Sequence, residues 1–411
     1  MPEDKYRPPT KILTLGFDPR LSVGSARPAV FRSSTYVFSS PEAAERAFDL
    51  AAGRAQPEPG EAPDLIYSRF NHPNAEILEA QIVPLEIGAE AALVFNSGMA
   101  AIMTALMAFL QPGDAVIYTV PIYGGTQTLI EKFLTGWGVK GVAVRAGQSA
   151  EMTTAIRATE RLKVVLIETP ANPTLVMTSI QDCVTAASQL NPRPLVMVDN
   201  TMLGPAFQHP LKHGADVVLY SATKYLSGSS DFLGGVVLAN DPELIRPMRL
   251  RRNLFGNILQ PDECWMLAQR LPTVLLRMNK ASKNAQRMAE KLVSNPKIKS
   301  VIYPTLFRNP EQIRIRTEQC DFPGAMFSLD LVGGKPAAFE FLRRLKLAYM
   351  AVSLGGVETL VCHPKTTTHS GFTETQFAEA GVTDGLVRVS VGIEDWRDLL
   401  ADFEQALKAL P

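Results

Sequence analysis

An α/β layered fold built on a parallel sheet is predicted by three features of the sequence. Between about residues 75 and 260, short β-branched runs alternate with longer helix-like stretches, the order that builds layered α/β domains. Several of these runs, such as Val164-Val165-Leu166-Ile167, are apolar throughout, as strands buried on both faces of a parallel sheet are. Two of the runs end in polar residues able to carry chemistry, and open α/β sheets bind ligands beyond the carboxyl ends of their strands.

Taken in chain order, residues 1–70 lack sustained periodicity and hold many prolines, including the loop Gln56-Pro57-Glu58-Pro59-Gly60-Glu61-Ala62-Pro63. That composition predicts an arm and a surface insertion. Strands are expected at 92–95, 115–119, 141–144, 164–168, 195–199, 217–221 and 235–239. Residues 91–113 contain no charged side chain and are long enough to imitate a membrane span. Asn96-Ser97-Gly98 divides the run into a strand and a helix that Pro112-Gly113 stops, so a buried helix of a large protein is the better account. An amphipathic stretch over 261–293 then leads into strand-like pieces at 299–303, 325–331 and 387–391, mixed with helices at 337–345 and 396–409. The division expected is an arm (1–70), a large α/β domain (71–265) and a smaller α+β domain with its linking helix (266–411).

Composition narrows the function. The 411 residues carry 41 basic and 41 acidic side chains, and 46% of them are hydrophobic. A balanced charge lacks the basic excess of a nucleic-acid binder, and the apolar share suits large globular cores. Cys183, Cys264, Cys320 and Cys362 are scattered, with no CxxC pair, and read as reduced thiols of a cytoplasmic protein without a metal site. The N-terminus shows no apolar h-region, so neither a secretory signal nor a membrane partner is expected.

The run ending Met197-Val198-Asp199-Asn200 puts an acid at a strand terminus, and Leu219-Tyr220-Ser221-Ala222-Thr223-Lys224 puts two hydroxyls and a lysine at another. Alone, such an acid serves equally for a ribose hydroxyl or magnesium, and such a lysine is usually surface decoration. Together they meet the needs of pyridoxal phosphate: a lysine for the Schiff base, a carboxylate for the pyridine nitrogen and hydroxyls for the phosphate. Asn96-Ser97-Gly98-Met99-Ala100, at the expected strand-to-helix junction, supplies a phosphate cup of N–H groups and helix dipole, with Gly98 permitting close approach. Arg388 in Leu386-Val387-Arg388-Val389-Ser390-Val391 falls on the face opposite the valines by strand alternation, where a guanidinium can grip a carboxylate with two parallel bonds. A Rossmann dehydrogenase is disfavoured because no GxGxxG follows an early strand; a binding protein on a decayed scaffold would lack one of these contacts.

The string Ser221-Ala222-Thr223-Lys224-Tyr225-Leu226-Ser227-Gly228 resembles the cofactor-lysine signature of the pyridoxal-phosphate-dependent enzymes of cysteine and methionine metabolism. These include cystathionine γ-synthase, cystathionine γ-lyase, methionine γ-lyase and the homoserine-ester sulfhydrylases, and the resemblance runs from Tyr67-Ser68-Arg69 to Gly385-Leu386-Val387-Arg388. It implies the fold type I architecture, with Lys224 bound to the cofactor, Asp199 at the ring nitrogen, and Gly98, Met99, Ser221 and Thr223 at the phosphate. It also implies that Tyr123 stacks on the ring and serves as acid or base, and that Arg388 holds the substrate α-carboxylate with Asn172 and Ser353. Tyr67 and Arg69 match a pair that reaches the phosphate of a neighbouring subunit, so a homo-oligomer, a dimer of dimers, is expected to act on a small amino acid. His363 and His369 are read as structural.

The resemblance leaves the reaction open. Val352 stands where cystathionine-handling members commonly have glutamate, which favours an apolar thioether and a methionine γ-lyase-like elimination. Gly125 replaces the cysteine usual in methionine γ-lyases, Asn253 replaces their aspartate, and Lys365-Thr366-Thr367-Thr368-His369 resembles sulfhydrylases. The expectation is γ-elimination, with γ-replacement on an activated homoserine ester as the alternative.

Overall fold

A computed structural model describes residues 6–58, 61 and 64–410. Seven strands form the larger sheet: β1 (Ala91–Phe95), β2 (Ala115–Val120), β3 (Lys140–Arg145), β4 (Leu162–Glu168), β5 (Leu195–Asp199), β6 (Val217–Ser221) and β7 (Gly235–Ala239). Their order is β1-β7-β6-β5-β4-β2-β3. The pairs from β3 through β6 are parallel, while β7 runs antiparallel to both β1 and β6. Side chains alternate along each strand, so Val164 and Leu166 enter the core on one face and Val165 and Ile167 the core on the other. That double burial is why these strands read as continuous apolar runs.

The uncharged segment resolves as β1 followed by the helix Gly98–Phe109. Ala101, Ala105 and Leu106 of this helix are buried against the sheet. Among the described residues no helix is long and apolar enough to cross a membrane.

The second sheet comprises β8 (Ile298–Ile302), β9 (Met326–Leu331), β10 (Tyr349–Met350), β11 (Leu360–Cys362) and β12 (Leu386–Ser390), in the order β10-β11-β12-β9-β8. Only β10 and β11 pair in parallel; their neighbours are antiparallel. The helices Gly334–Arg344 and Trp396–Lys408 cover its core through Phe341, Phe403 and Leu407. With its mostly parallel sheet and smaller α+β unit, the molecule has the expected fold class.

Three details depart from the sequence reading. The stretch 261–293 is two helices, Pro261–Arg270 and Val274–Leu292, split by a 3₁₀ turn at Leu271–Thr273; Pro272 has no N–H for the helical ladder and disrupts it. The second helix joins the two units, because Met278 and Ala281 pack in the first core and Met288 and Leu292 in the second. Helices also occupy Pro8–Thr14 and Pro41–Ala52, where no periodicity was evident. The proline at the start of each, like those opening Pro73–Ile82 and Pro242–Phe255, sits in the first turn, where its missing N–H has no helical partner to lose. Of the proline-rich loop, residues 59, 60, 62 and 63 lie outside the described residues; Glu61 pairs with Arg46 at 2.7 Å. Finally, β10 and β11 were not anticipated, being too short to show a period.

Candidate active site

The carboxyl ends of β1, β2, β4, β5 and β6 converge on one cavity of about 210 Å³. After β1 it is lined by Ser97, Gly98 and Met99; after β2 by Tyr123; at the ends of β4 and β5 by Glu168 and Asp199; after β6 by Ser221, Thr223 and Lys224. The second unit closes the opposite side with Val352, Leu354, Thr368 and Arg388.

Lys224 Nζ donates to Ser353 Oγ at 2.9 Å. Burial depresses its ammonium to about 8, and the Arg388 cation adds to the effect. The backbone that carries it is pinned from outside, since Arg277 donates to the carbonyls of Tyr225 and Leu226 at 2.8 and 3.1 Å.

Ser97 caps the helix Gly98–Phe109 by accepting from Ala100 N at 3.1 Å. The first N–H groups of a helix have no partner within it, and here they face the end of β6. A Cβ on Gly98 would lie 2.9 Å from Ser221 Cβ, so the cup exists only because residue 98 has no side chain. Thr223 Oγ1 accepts from Gly234 N at 3.2 Å. Asp199 accepts from the Thr201 hydroxyl at 2.6 Å and the Thr201 N–H at 3.1 Å, and Thr201 Oγ1 in turn accepts from Ser221 N at 2.9 Å. Burial raises the Asp199 carboxyl, and no cation among the described residues offsets that. An N–H cup suited to a dianion, a buried acid without a cation and a lysine with a lowered pKa match the phosphate, ring nitrogen and aldehyde of pyridoxal phosphate.

Strand alternation sends Val387, Val389 and Val391 into the second core and leaves Arg388 facing the cavity, itself only 2% exposed. Arg388 donates to the carbonyls of Val352 and Ser353 at 2.8 Å each and to Asn172 Oδ1 at 3.2 Å. A guanidinium has five N–H donors, so these bonds orient the fork without exhausting it. Tyr123 N and Asn172 N donate to the two oxygens of Glu168 at 2.8 and 3.0 Å. Glu168 is raised to about 8 by burial and then by the adjacent Asp199 charge, its register partner across β4 and β5. His369 donates from Nε2 to the Asn172 carbonyl at 3.1 Å and accepts at Nδ1 from Thr368; burial, then Arg388, lowers it to about 4. His363 likewise donates to the Asp384 carbonyl.

Tyr67 and Arg69 do not line this cavity. Arg69 donates to the Asn253 carbonyl at 2.6 Å and lies over the Tyr67 and Phe70 rings. The Asn253 amide, turned to suit its surroundings, donates to the carbonyls of Arg69, Phe70 and Arg249. The sequence reading passed over Glu168, Thr201, Leu354 and Thr368. Glu168 had a readable signal, since it ends an apolar strand just as Asp199 does; the others are brought in by loops that carry no periodicity.

Residues 9–408 match the family described as Cys/Met metabolism PLP-dependent enzymes. The chain is 38% identical over 389 residues to an L-methionine gamma-lyase of Fusobacterium nucleatum subsp. polymorphum, with 94% of each chain covered. It is 40% identical over 353 residues to the cystathionine gamma-lyase of Bacillus subtilis strain 168, covering 86% of this chain and 91% of the relative. Among solved structures, the cystathionine gamma synthase of Xanthomonas oryzae pv. oryzae in complex with cystathionine superposes with a TM-score of 0.87 at 32% identity, over 98% of both chains.

Proposed function

Because this chain belongs to the pyridoxal-phosphate-dependent enzymes of cysteine and methionine metabolism, we propose that it catalyses γ-elimination on a thioether amino acid such as methionine, releasing 2-oxobutanoate, ammonia and a thiol. Its cofactor is pyridoxal phosphate, and its chemistry is that of a carbon–sulfur lyase or of a γ-replacement enzyme. The observation that carries the choice is the wall at Val352 and Leu354, which offers an apolar surface beside the Arg388 clamp. A methylthio group suits that wall, whereas a charged substituent gains no opposite charge from Val352 or Leu354.

In this reading Lys224 binds the cofactor, Asp199 meets its ring nitrogen, and Gly98, Met99, Ser221 and Thr223 receive its phosphate. Bound pyridoxal phosphate supplies an electron sink that acidifies the carbons next to the substrate amine. Arg388 holds the α-carboxylate, its fork oriented by Asn172 Oδ1 and the Val352 and Ser353 carbonyls. Lys224 Nζ takes the α-proton and, once it has handed that proton on, a β-proton, whose electron pair expels the γ-sulfur; a pKa near 8 leaves part of it neutral at physiological pH, which a base requires. Ser353 Oγ keeps that nitrogen directed when the proton is not being moved. Tyr123, whose backbone is held by Glu168, donates a proton to the departing sulfur. Tyr67 and Arg69 serve the phosphate of a neighbouring subunit, so the working unit is at least a dimer. Steady-state assays with methionine, with cystathionine, and with O-acetylhomoserine plus sulfide test the proposal. Methionine cleavage is expected to dominate. Rapid sulfide-dependent consumption of the ester with negligible methionine cleavage would instead establish γ-replacement, the reading to which the run Lys365-Thr366-Thr367-Thr368-His369 points.

A further inference from the structure

We propose that Glu168 is a positioning residue of this site, one carboxyl that sets the spacing between Tyr123 and the Asn172–Arg388 clamp by accepting a backbone N–H from each. The inference rests on the roles just given to Tyr123, Asn172 and Arg388. Glu168 is the last residue of β4, only 5% exposed, and its own N–H is accepted by Thr119 Oγ1 at 3.0 Å. Its Oε2 accepts from Tyr123 N at 2.8 Å and its Oε1 from Asn172 N at 3.0 Å. The two loops it joins leave neighbouring parallel strands, β2 and β4. Asn172 passes the constraint on, because its Oδ1 accepts from Arg388 at 3.2 Å.

The chemistry of the residue matters. Both oxygens of a carboxyl keep an acceptor lone pair, even when one of them carries the proton, whereas the isosteric amide has one acceptor and turns a donor toward the other N–H. Glu168 also lies beside Asp199 at the end of the adjacent strand, and two buried acids side by side are unfavourable for folding. Glutamine would relieve that proximity but turn a donor toward a buried N–H, so stability gives no clear preference for either residue. The double acceptor holds both loops at once, and comparing stability with ligand binding in Glu168→Gln separates alignment from folding.

The test compares wild-type, Glu168→Gln and Glu168→Asp holoenzymes by thermal melting, by cofactor absorbance and by spectroscopic titration with two probes. Norleucine carries the α-carboxylate but no γ-leaving group; pentylamine is its decarboxylated counterpart. Glu168→Gln is expected to stay folded, melting only modestly lower than wild type, and to keep full cofactor occupancy. It should weaken norleucine binding by about tenfold while leaving pentylamine within about threefold. Glu168→Asp, with both acceptors on a shorter stem, should fall between the two, and it carries the same comparison if the glutamine variant does not fold. Equal weakening of both probes, unchanged norleucine binding, or a loss of melting temperature and cofactor that accounts for the binding defect would overturn the proposal. Absence of cofactor absorbance in the wild type would instead refute the functional reading beneath it.

Discussion

Lys224 is held at about 8 chiefly by burial, well below the ordinary lysine value, and this has a consequence for stability. Its folded pKa lies below its unfolded one, so the unfolded chain binds the extra proton between about pH 8 and pH 10.5. Stability of the cofactor-free protein should therefore rise with pH across that window. Lys224→Met should melt higher than wild type at pH 7 in the cofactor-free state, with the difference vanishing near pH 10.5; an equal difference at both pH values would contradict this. In the loaded enzyme the same variant should lose the absorbance of the lysine-bound cofactor. Val352 is 56% exposed, which limits what a charge there can do. Val352→Glu should raise the kcat/KM of cystathionine relative to methionine by only about fivefold, because a partly exposed ion pair is worth at most about 1 kcal/mol. Paired kinetics on the two substrates measure that ratio.

At the scale of elements, the site depends on how the helix Gly98–Phe109 meets the end of β6. A methyl on Gly98 would sit 2.9 Å from Ser221 Cβ and 3.1 Å from Ser221 Oγ, closer than packed side chains come. Gly98→Ala should weaken cofactor binding by at least about tenfold, roughly 1.4 kcal/mol, without unfolding the protein. Equilibrium titration with pyridoxal phosphate checks this. A buried ion pair fastens the neighbouring elements. Arg252, 1% exposed, donates to Glu79 and to the Val94 carbonyl at 3.0 Å each and to the Phe70 carbonyl at 2.9 Å. These bonds tie the helices Pro73–Ile82 and Pro242–Phe255 to β1 and to the turn that bears Arg69. Arg249 also bridges Glu79 at 3.1 Å, so Arg252→Leu leaves that carboxylate a partner but strips the Val94 and Phe70 carbonyls of a donor; it should destabilise the protein by about 2 kcal/mol, read from denaturant unfolding. These contacts join residues far apart in the chain, which is why no local pattern announced them.

For the whole molecule, Tyr67 and Arg69 stand away from the cavity that holds Lys224, and the proposal that they serve a second subunit has a direct test. Arg69→Ala and Lys224→Ala chains, each inactive alone, should recover activity when mixed, since a hybrid dimer contains one intact site. No recovery despite demonstrated subunit exchange would place the pair in another role. The sequence by itself determined the layered α/β class, the seven strands of the larger sheet and the cluster of Asp199, Ser221, Thr223 and Lys224. Strand burial leaves a period and composition that survive in one dimension, and loops at strand ends keep functional residues next to readable runs. It also located Arg388, because alternation along β12 separates one arginine from three valines. Only the tertiary structure decided that Glu168 joins Tyr123 to Asn172, that Thr201 links Asp199 to Ser221, and that Pro272 breaks the connecting helix, whose second piece spans two cores. Those are hydrogen bonds and packing contacts between segments with no sequence proximity, and their specificity lies in distance and direction, which periodicity cannot carry.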